Sequence, residues 1–337
     1  MDTDLRKRKA FVLLMLAAGP VSAASFDCAK ATRPQEKLIC ASPEVSRLDA
    51  SMASSYKALM QRLSPQAQND VRRSQREWLA FWPTSCRAGS EPLNPKSKDA
   101  QDCAAARYKD RISLLEEQDS VNGDIVLYPV STYSIRRSNA KVEWIQYAQS
   151  VTSFPAVDLG QVAHDKKNLA MLIDRWLRKD MAHSGQAIDA VSDSETGRRF
   201  IPSLSMLLST ETSGYFYGHG AAHPVSGSST QHFYLPKARP MLATDIFQGS
   251  PWKDGLTALV EKDLKEKLAD FYDVKSRADL KELVIDPARW QLSRKELTLT
   301  FNPYEVAPYA AGASSVSLPW STLMPWLTAQ VRNDISK

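Results

Sequence analysis

The side chains able to do chemistry concentrate in two stretches. One is Gly218-His219-Gly220-Ala221-Ala222-His223-Pro224, followed by Ser226-Gly227-Ser228-Ser229 and Gln231-His232-Phe233. Imidazoles near neutral pH serve as metal ligands, proton carriers and hydrogen-bond hubs. The i, i+4 spacing of His219 and His223 would put two rings on one face of a helix. The glycines around them argue instead for a loop whose backbone can approach a neighbour closely. No carboxylate joins the histidines at a motif-like spacing, so the expectation is structural or hydrogen-bonding imidazoles, with no metal and no cofactor. The other stretch is Phe301-Asn302-Pro303-Tyr304-Glu305-Val306-Ala307-Pro308-Tyr309-Ala310-Ala311-Gly312, which leads to Val316-Ser317-Leu318-Pro319-Trp320. Tyr304, Tyr309 and Trp320 could stack on sugars or anchor a protein partner, because aromatic rings bring large contact area at low entropic cost. The plainer reading is that these rings and prolines pack a tight corner.

Catalytic signatures are thin. There is no Gly-x-Ser-x-Gly elbow to expose a nucleophilic serine. Polysaccharide deacetylation needs a paired-aspartate motif, and no Asp-Asp occurs in the chain. Carboxylate pairs for glycoside hydrolysis have no recognisable spacing in a single sequence. The expectation is therefore a binding protein rather than an enzyme, with an uncharacterised hydrolase as an alternative.

Cys28, Cys40, Cys86 and Cys103 all lie in the first third of the chain. An even count in an exported protein reads as a disulfide framework, and four cysteines allow three connectivities. Local pairing, Cys28 with Cys40 and Cys86 with Cys103, is favoured because each pair brackets a helix–loop unit. A zinc site lacks both a C-x-x-C pair and a nearby histidine.

Export is read from the first residues. Arg6, Lys7, Arg8 and Lys9 precede an uncharged apolar run from Ala10 to Ala18, a Gly19-Pro20 break and the small residues Val21-Ser22-Ala23-Ala24. That order describes a secretory signal peptide over residues 1–24. Its apolar run is about half of the ~20 residues that span a bilayer, so no membrane insertion is expected after cleavage. The mature chain belongs in the periplasm or outside the cell. The formal net charge is +5, with Lys and Arg scattered among Asp and Glu. A nucleic-acid binder would want a basic stripe, so nucleic acid is not an expected partner.

The elements that must position these residues fall into two textures. Ser42-Pro43-Glu44 is a helix start, and Val45, Leu48, Met52, Tyr56, Leu59 and Leu63 follow it as one apolar stripe. Thr32 with Gln35 resembles a capping box for a shorter helix ending near Cys40. Ser64-Pro65 opens a third helix carrying Val71, Trp78, Phe81 and Trp82, and a fourth holds Cys103, Tyr108, Ile112 and Leu115. Residues 25–119 thus predict a disulfide-stapled helical domain. Glu116 to Gly123, ending in Asn122-Gly123, suits a domain joint. Beyond it, strand-like alternation is read at Ile125–Val130, Val142–Val151, Phe200–Leu208, Tyr215–Tyr217, His232–Leu235, Leu283–Ile285 and Leu297–Phe301. Asp158 to His183 reads as one long amphipathic helix with Leu169, Leu172, Ile173, Trp176 and Leu177 on one face. Trp252–Phe271 reads as a second helix, and Pro319–Val331 as a short terminal one. Residues 121–337 predict an α+β domain with a mainly antiparallel sheet.

Each half carries a resemblance. Phe26-Asp27-Cys28, Glu36-Lys37-Leu38-Ile39-Cys40, Ser46-Arg47-Leu48-Asp49, Tyr56, Gln75-Arg76-Glu77-Trp78-Leu79, Cys86, Cys103 and Tyr108-x-x-Arg111-Ile112-x-x-Leu115 resemble the LprI-type domain, a family named for a lysozyme inhibitor. The run Phe81-Trp82-Pro83-Thr84-Ser85 departs from the more polar, arginine-containing run usual there. The histidine loop and the tyrosine–proline–tyrosine run resemble the domain at the lysozyme-binding end of the anti-sigma factor RsiV and in PdaC-like envelope proteins. Ala221 stands where that family usually has a second glycine. Together the resemblances imply an envelope protein that binds lysozyme, by occluding the cleft of the muramidase. A peptidoglycan- or carbohydrate-binding module using the same tyrosines and histidines is the alternative. Animal lysozymes are strongly basic, so a partner with net positive charge needs a local acidic patch, for which Glu116, Glu117 and Asp119 are candidates.

Overall fold

The computed structural model describes residues 24–88, 91–117, 120–121, 123–139, 145–181 and 191–336. Apart from Ala24, the expected leader lies outside these residues, as do Val142 and Trp144, Asp119, Asn122 and His183.

Four helices come first: α1 (Pro34–Ala41), α2 (Pro43–Arg62), α3 (Pro65–Ser85) and α4 (Lys98–Glu116). Ser42 caps α2 by accepting from the Val45 amide at 3.4 Å, with Pro43 in the first turn as expected. The start of α1 differs from the expectation. Glu36, not Gln35, accepts from the amides of Thr32 and Arg33, at 2.9 and 3.0 Å, so the box sits one residue later. Both disulfides are local, Cys28–Cys40 and Cys86–Cys103, with Cα atoms 5.8 and 5.6 Å apart. No helix among the described residues is long and apolar enough to cross a membrane.

The chain continues into β1 (Ser120–Val121), β2 (Ile125–Arg137) and β3 (Tyr147–Val157), crosses over through α5 (Lys167–Arg178), and returns as β4 (Ser192–Ile201), β5 (Leu207–Gly218), β6 (Val225–Tyr234) and β7 (Arg239–Pro240). These form one sheet in sequence order, antiparallel except where β3 meets β4. A parallel pair cannot be joined by a hairpin, which is why a helix intervenes there. Short α6 (Ala243–Ile246), then α7 (Trp252–Leu268) and α8 (Arg277–Ile285), pack on a three-stranded antiparallel sheet of β8 (Trp290–Leu292), β9 (Glu296–Phe301) and β10 (Ser314–Pro319). The chain ends in α9 (Trp320–Leu323) and α10 (Ala329–Ile335).

Several element expectations are corrected. The helix expected over Asp158–His183 is the 12-residue α5 after a single 3₁₀ turn. Asp158 is instead consumed as an acceptor for Ser64, whose amide donates to it at 2.8 Å. Leu172 is exposed, so it is not on the buried face with Ile173, Trp176 and Leu177. Leu283–Ile285 is the last turn of α8 rather than a strand, because Leu280 and Val284 at i, i+4 both enter the core. Phe200–Leu208 is two strands separated by a turn at Ser205 and Met206, where the Leu207 amide donates to the Leu204 carbonyl at 2.9 Å, and the terminal helix is split at Met324–Trp326 around Pro325.

Three cores follow from the layering. Tyr128, Val130, Phe154 and Ala156 face the helices and join the core of Trp78, Phe81, Trp82 and Tyr108. Alternate positions Ile125, Leu127 and Val157 face α5 with Ile173, Trp176 and Phe233. A sheet buried on both faces explains the nearly unbroken burial at the start of β2. The third core is centred on Trp252, Trp290, Leu297 and Trp320 around the small sheet.

Candidate binding site

The β5–β6 hairpin and the long loop after β9 meet at one tip of the molecule. Gly218 ends β5 and Val225 begins β6, and Gly220, at φ +91°, supplies the left-handed turn between them. The loop 302–312 is tied to β6 through Asn302. Its Oδ1 accepts from the Ser228 amide at 2.7 Å, and its Nδ2 donates to the Ser228 carbonyl at 3.1 Å. Gly227 makes room for this contact, since a Cβ would stand a tight 3.1 Å from Asn302 Oδ1. Glu305 closes the turn by accepting from the Asn302 amide at 2.8 Å and by pairing with Arg289 at 2.6 Å.

This scaffold brings His223, Tyr304 and Tyr309 together. The His223 ring stacks on Tyr309 at 4.0 Å between centroids and 22° between planes, and Tyr304 lies 5.5 Å from Tyr309. His223 Nδ1 and the Tyr309 hydroxyl both donate to the Pro224 carbonyl, at 3.0 and 2.9 Å. The Nε2 of His223 is left 3.5 Å from the Tyr304 hydroxyl. Tyr304 is 61% exposed and sits at φ +72°, a backbone region that costs a non-glycine residue about 1 kcal/mol or more. Its amide donates to the Ala307 carbonyl at 3.1 Å, which holds the strained turn in place.

The remaining sequence candidates are placed elsewhere. His219 is on the same loop but turns inward: its Nδ1 lies 2.8 Å from Ser138 Oγ. Its Nε2 is 3.2 Å from Asp193 Oδ1, out of line for a good hydrogen bond. Trp320 does not join the tip. It is 4% exposed in the third core, and its Nε1 donates to the Ser293 carbonyl at 2.9 Å. His232 is buried between the two sheets, with Ser209 Oγ 2.7 Å from Nδ1 and Nε2 donating to the Trp290 carbonyl at 2.9 Å. Burial holds its imidazole well below the usual range, at about 4, so it is neutral. Serine beside histidine is the arrangement of a nucleophile and its base, but Ser209 is buried and offers a substrate no approach. No group of three or more His, Cys, Asp or Glu among the described residues is placed to hold a metal. Of the acidic residues proposed near the joint, Glu116 accepts from Ser55 at 2.7 Å on the helical side.

Sequence reasoning missed the residues that surround the tip. Glu195 pairs across the sheet with Tyr215, and Asp193 with Tyr217. Partial burial, then the Asp193 carboxylate, raise the Tyr215 phenol above its ordinary value, with Glu195 and Tyr309 also contributing. On the opposite side of the strand pair, Phe216 and Val225 are cross-strand partners and both are exposed. The signal was present as Tyr215-Phe216-Tyr217 directly before the histidine loop, since strand aromatics at a hairpin end have little core left to enter.

The fold therefore defines a two-part protein, a disulfide-stapled helical region followed by an α+β region with a mainly antiparallel sheet. Residues 28–115 match the family described as "Lysozyme inhibitor LprI", and residues 244–321 match a family described as "Protein of unknown function (DUF3298)". Both resemblances read from the sequence are matched in this way. Solved structures of DUF3298-family proteins from Bacteroides fragilis and Pseudomonas aeruginosa share 14% and 15% identity with the chain. Each gives a TM-score of 0.44 and covers 63% of this chain and 98% of its own. No curated protein matches the chain.

Proposed function

We propose that this is an exported cell-envelope protein that binds a lysozyme-type muramidase and occludes its cleft. On this reading residues 1–24 are a leader removed on export, 25–119 are the LprI-like unit and 121–337 the second unit. Two structural disulfides suit an oxidising compartment, the periplasm or the cell exterior. The observation that carries the reading is the match of residues 28–115 to a lysozyme-inhibitor family. The tip supplies a fitting surface: an exposed aromatic anchor at Tyr304 beside stacked Tyr309 and His223. Anchors of this kind dominate protein interfaces when a partner pocket encloses them. Asp193 and Glu195 near Tyr215 also answer the charge objection, because a local carboxylate pair can steer a basic enzyme that the net charge of +5 would not attract.

The test is calorimetric titration of residues 25–337 with a c-type lysozyme at near-physiological salt, beside a cell-wall lysis assay. The expected result is micromolar or tighter binding with slowed lysis. Tyr304→Ala should weaken binding at least tenfold without lowering the melting temperature, since that ring is not in a core. An absence of heat and of protection overturns the reading. If the protein is then retained on purified peptidoglycan through the same tyrosine, the stacked Tyr309–His223 platform is a glycan site instead.

A further inference from the structure

A cleft of about 590 Å³ runs between the helical region and the large sheet, away from the aromatic tip loop. It is within the size range of small-molecule sites. Arg111, on α4, lines it and is only 2% exposed. Its Nε donates to Gln75 Oε1 at 2.9 Å and its Nη1 to Ser131 Oγ at 2.9 Å, with Ser74 Oγ and the Tyr133 hydroxyl at 3.3 and 3.4 Å. Every one of these partners is neutral. Among the described residues its buried Nη2 has no partner and no carboxylate pairs with this guanidinium. Arginine cannot shed its proton to relieve the desolvation of its charge. A buried cation with one unused donor, beside a cavity, is an arrangement completed by an anion.

The rest of the lining says which anion. Asp110, Glu116, Glu117 and Glu195 border the cleft together with Arg107, Arg198 and Arg199, of which Arg198 already donates to the Leu177 and Lys179 carbonyls and Arg199 is paired with Glu211 at 2.7 Å. A rim of both signs favours a ligand that carries its own positive group beside a single carboxylate over a doubly charged phosphate. Trp78, Phe81, Leu114, Tyr133 and Val151 add apolar surface to the lining. We propose that this cleft binds a small amino-carboxylate, a short peptide with free ends, its C-terminal carboxylate on Arg111 and its ammonium toward the carboxylates of the rim. Glu195 also borders the tip through its partner Tyr215, but the cleft and its test stand without the lysozyme reading.

The experiment is calorimetric titration of the whole mature chain with the dipeptide Ala-Ala, its C-terminal amide, its N-acetyl derivative and inorganic phosphate. Binding of the free dipeptide, with affinity at least tenfold weaker for both the amide and the N-acetyl form and none for phosphate, is expected. The same series on Arg111→Lys and Arg111→Gln, each checked for an unchanged circular dichroism spectrum, should show weakened and abolished binding respectively. The unsubstituted chain decides the matter even if both variants misfold. No heat from the free dipeptide at millimolar concentration, or equal affinity for the amide, overturns the proposal. Phosphate binding as tight as the dipeptide's overturns it in favour of a general anion site.

Discussion

Around Trp290 the C-terminal core gathers a large apolar cluster with Trp252, Leu256, Leu297, Leu299 and Leu323, edged by the buried His232, Thr257, Asp245 and Asp334, and no disulfide lies in this region. The helical core is built otherwise. Trp78 and Trp82 share it with Asp49, Gln75 and Arg111, all buried, and with two cross-links. Asp49 accepts from the Tyr108 hydroxyl at 3.0 Å and from the Ser25 amide at 2.7 Å. Burial, then the Asp49 charge, raise the Tyr108 phenol far above its ordinary value, so it remains a donor at any physiological pH. The helical region also leans on the sheet, since Ser74 and Arg111 both meet Ser131 of β2 and the Tyr128 hydroxyl donates to Asp70 at 2.9 Å. One region thus relies mainly on a large apolar cluster within itself. The other is specified by buried polar contacts, staples and a borrowed sheet face. A small helical unit buries too little surface to do without such devices.

The contrast can be broken most sharply at Trp290. Trp290→Ala should cost about 4 kcal/mol, because it opens a cavity and strands the Val284 carbonyl that its Nε1 reaches at 2.8 Å. Urea unfolding would measure this, and a value below about 1 kcal/mol would mean the C-terminal core is not closely packed. In the helical half, replacing Cys86 and Cys103 by serine should cost about 3 kcal/mol through the lost loop closure. Loss in that variant of the near-ultraviolet signal of Trp78 and Trp82, with the C-terminal core intact by hydrogen exchange, would sharpen the distinction.

Acid should act on the opposite side. His232 titrates at about 4 in the folded chain against about 6.5 unfolded, so the unfolded state binds the extra proton between those values. The stability it lends is present above about pH 6.5 and is lost as the pH falls towards 4, amounting to about 3 kcal/mol. His232→Asn should flatten that part of the pH–stability curve, and an unchanged slope would show the ring is hydrated. The smallest effect is expected at the tip. Tyr304→Gly should be neutral or stabilising by up to about 1 kcal/mol, since glycine accepts φ +72° without strain, while the proposed binding of lysozyme is lost. That separation of stability from binding is what a surface residue kept for contact would give.

Much of this fold was legible because it rests on local rules. The Ser42-Pro43 and Ser64-Pro65 starts, the apolar stripe of α2 and the bracketing of each cysteine pair around a helix depend on residues close in sequence. The failures were non-local. Asp158 was read into a helix because its role as acceptor for Ser64 joins positions far apart in the chain. Trp320 stood as a candidate binding ring because its neighbours Trp252 and Trp290 arrive from other elements.

Composition and spacing alone determined the two textures, the disulfide framework and the two stretches richest in imidazole and phenol, since these are properties of residue types along a chain. Only the tertiary structure decided that His223, Tyr304 and Tyr309 form one surface, that His219 and His232 turn inward, and that Arg111 is buried beside a cleft with no carboxylate partner among the described residues. Contact between residues separated by eighty or more positions is set by sheet register and loop docking, which no local pattern encodes.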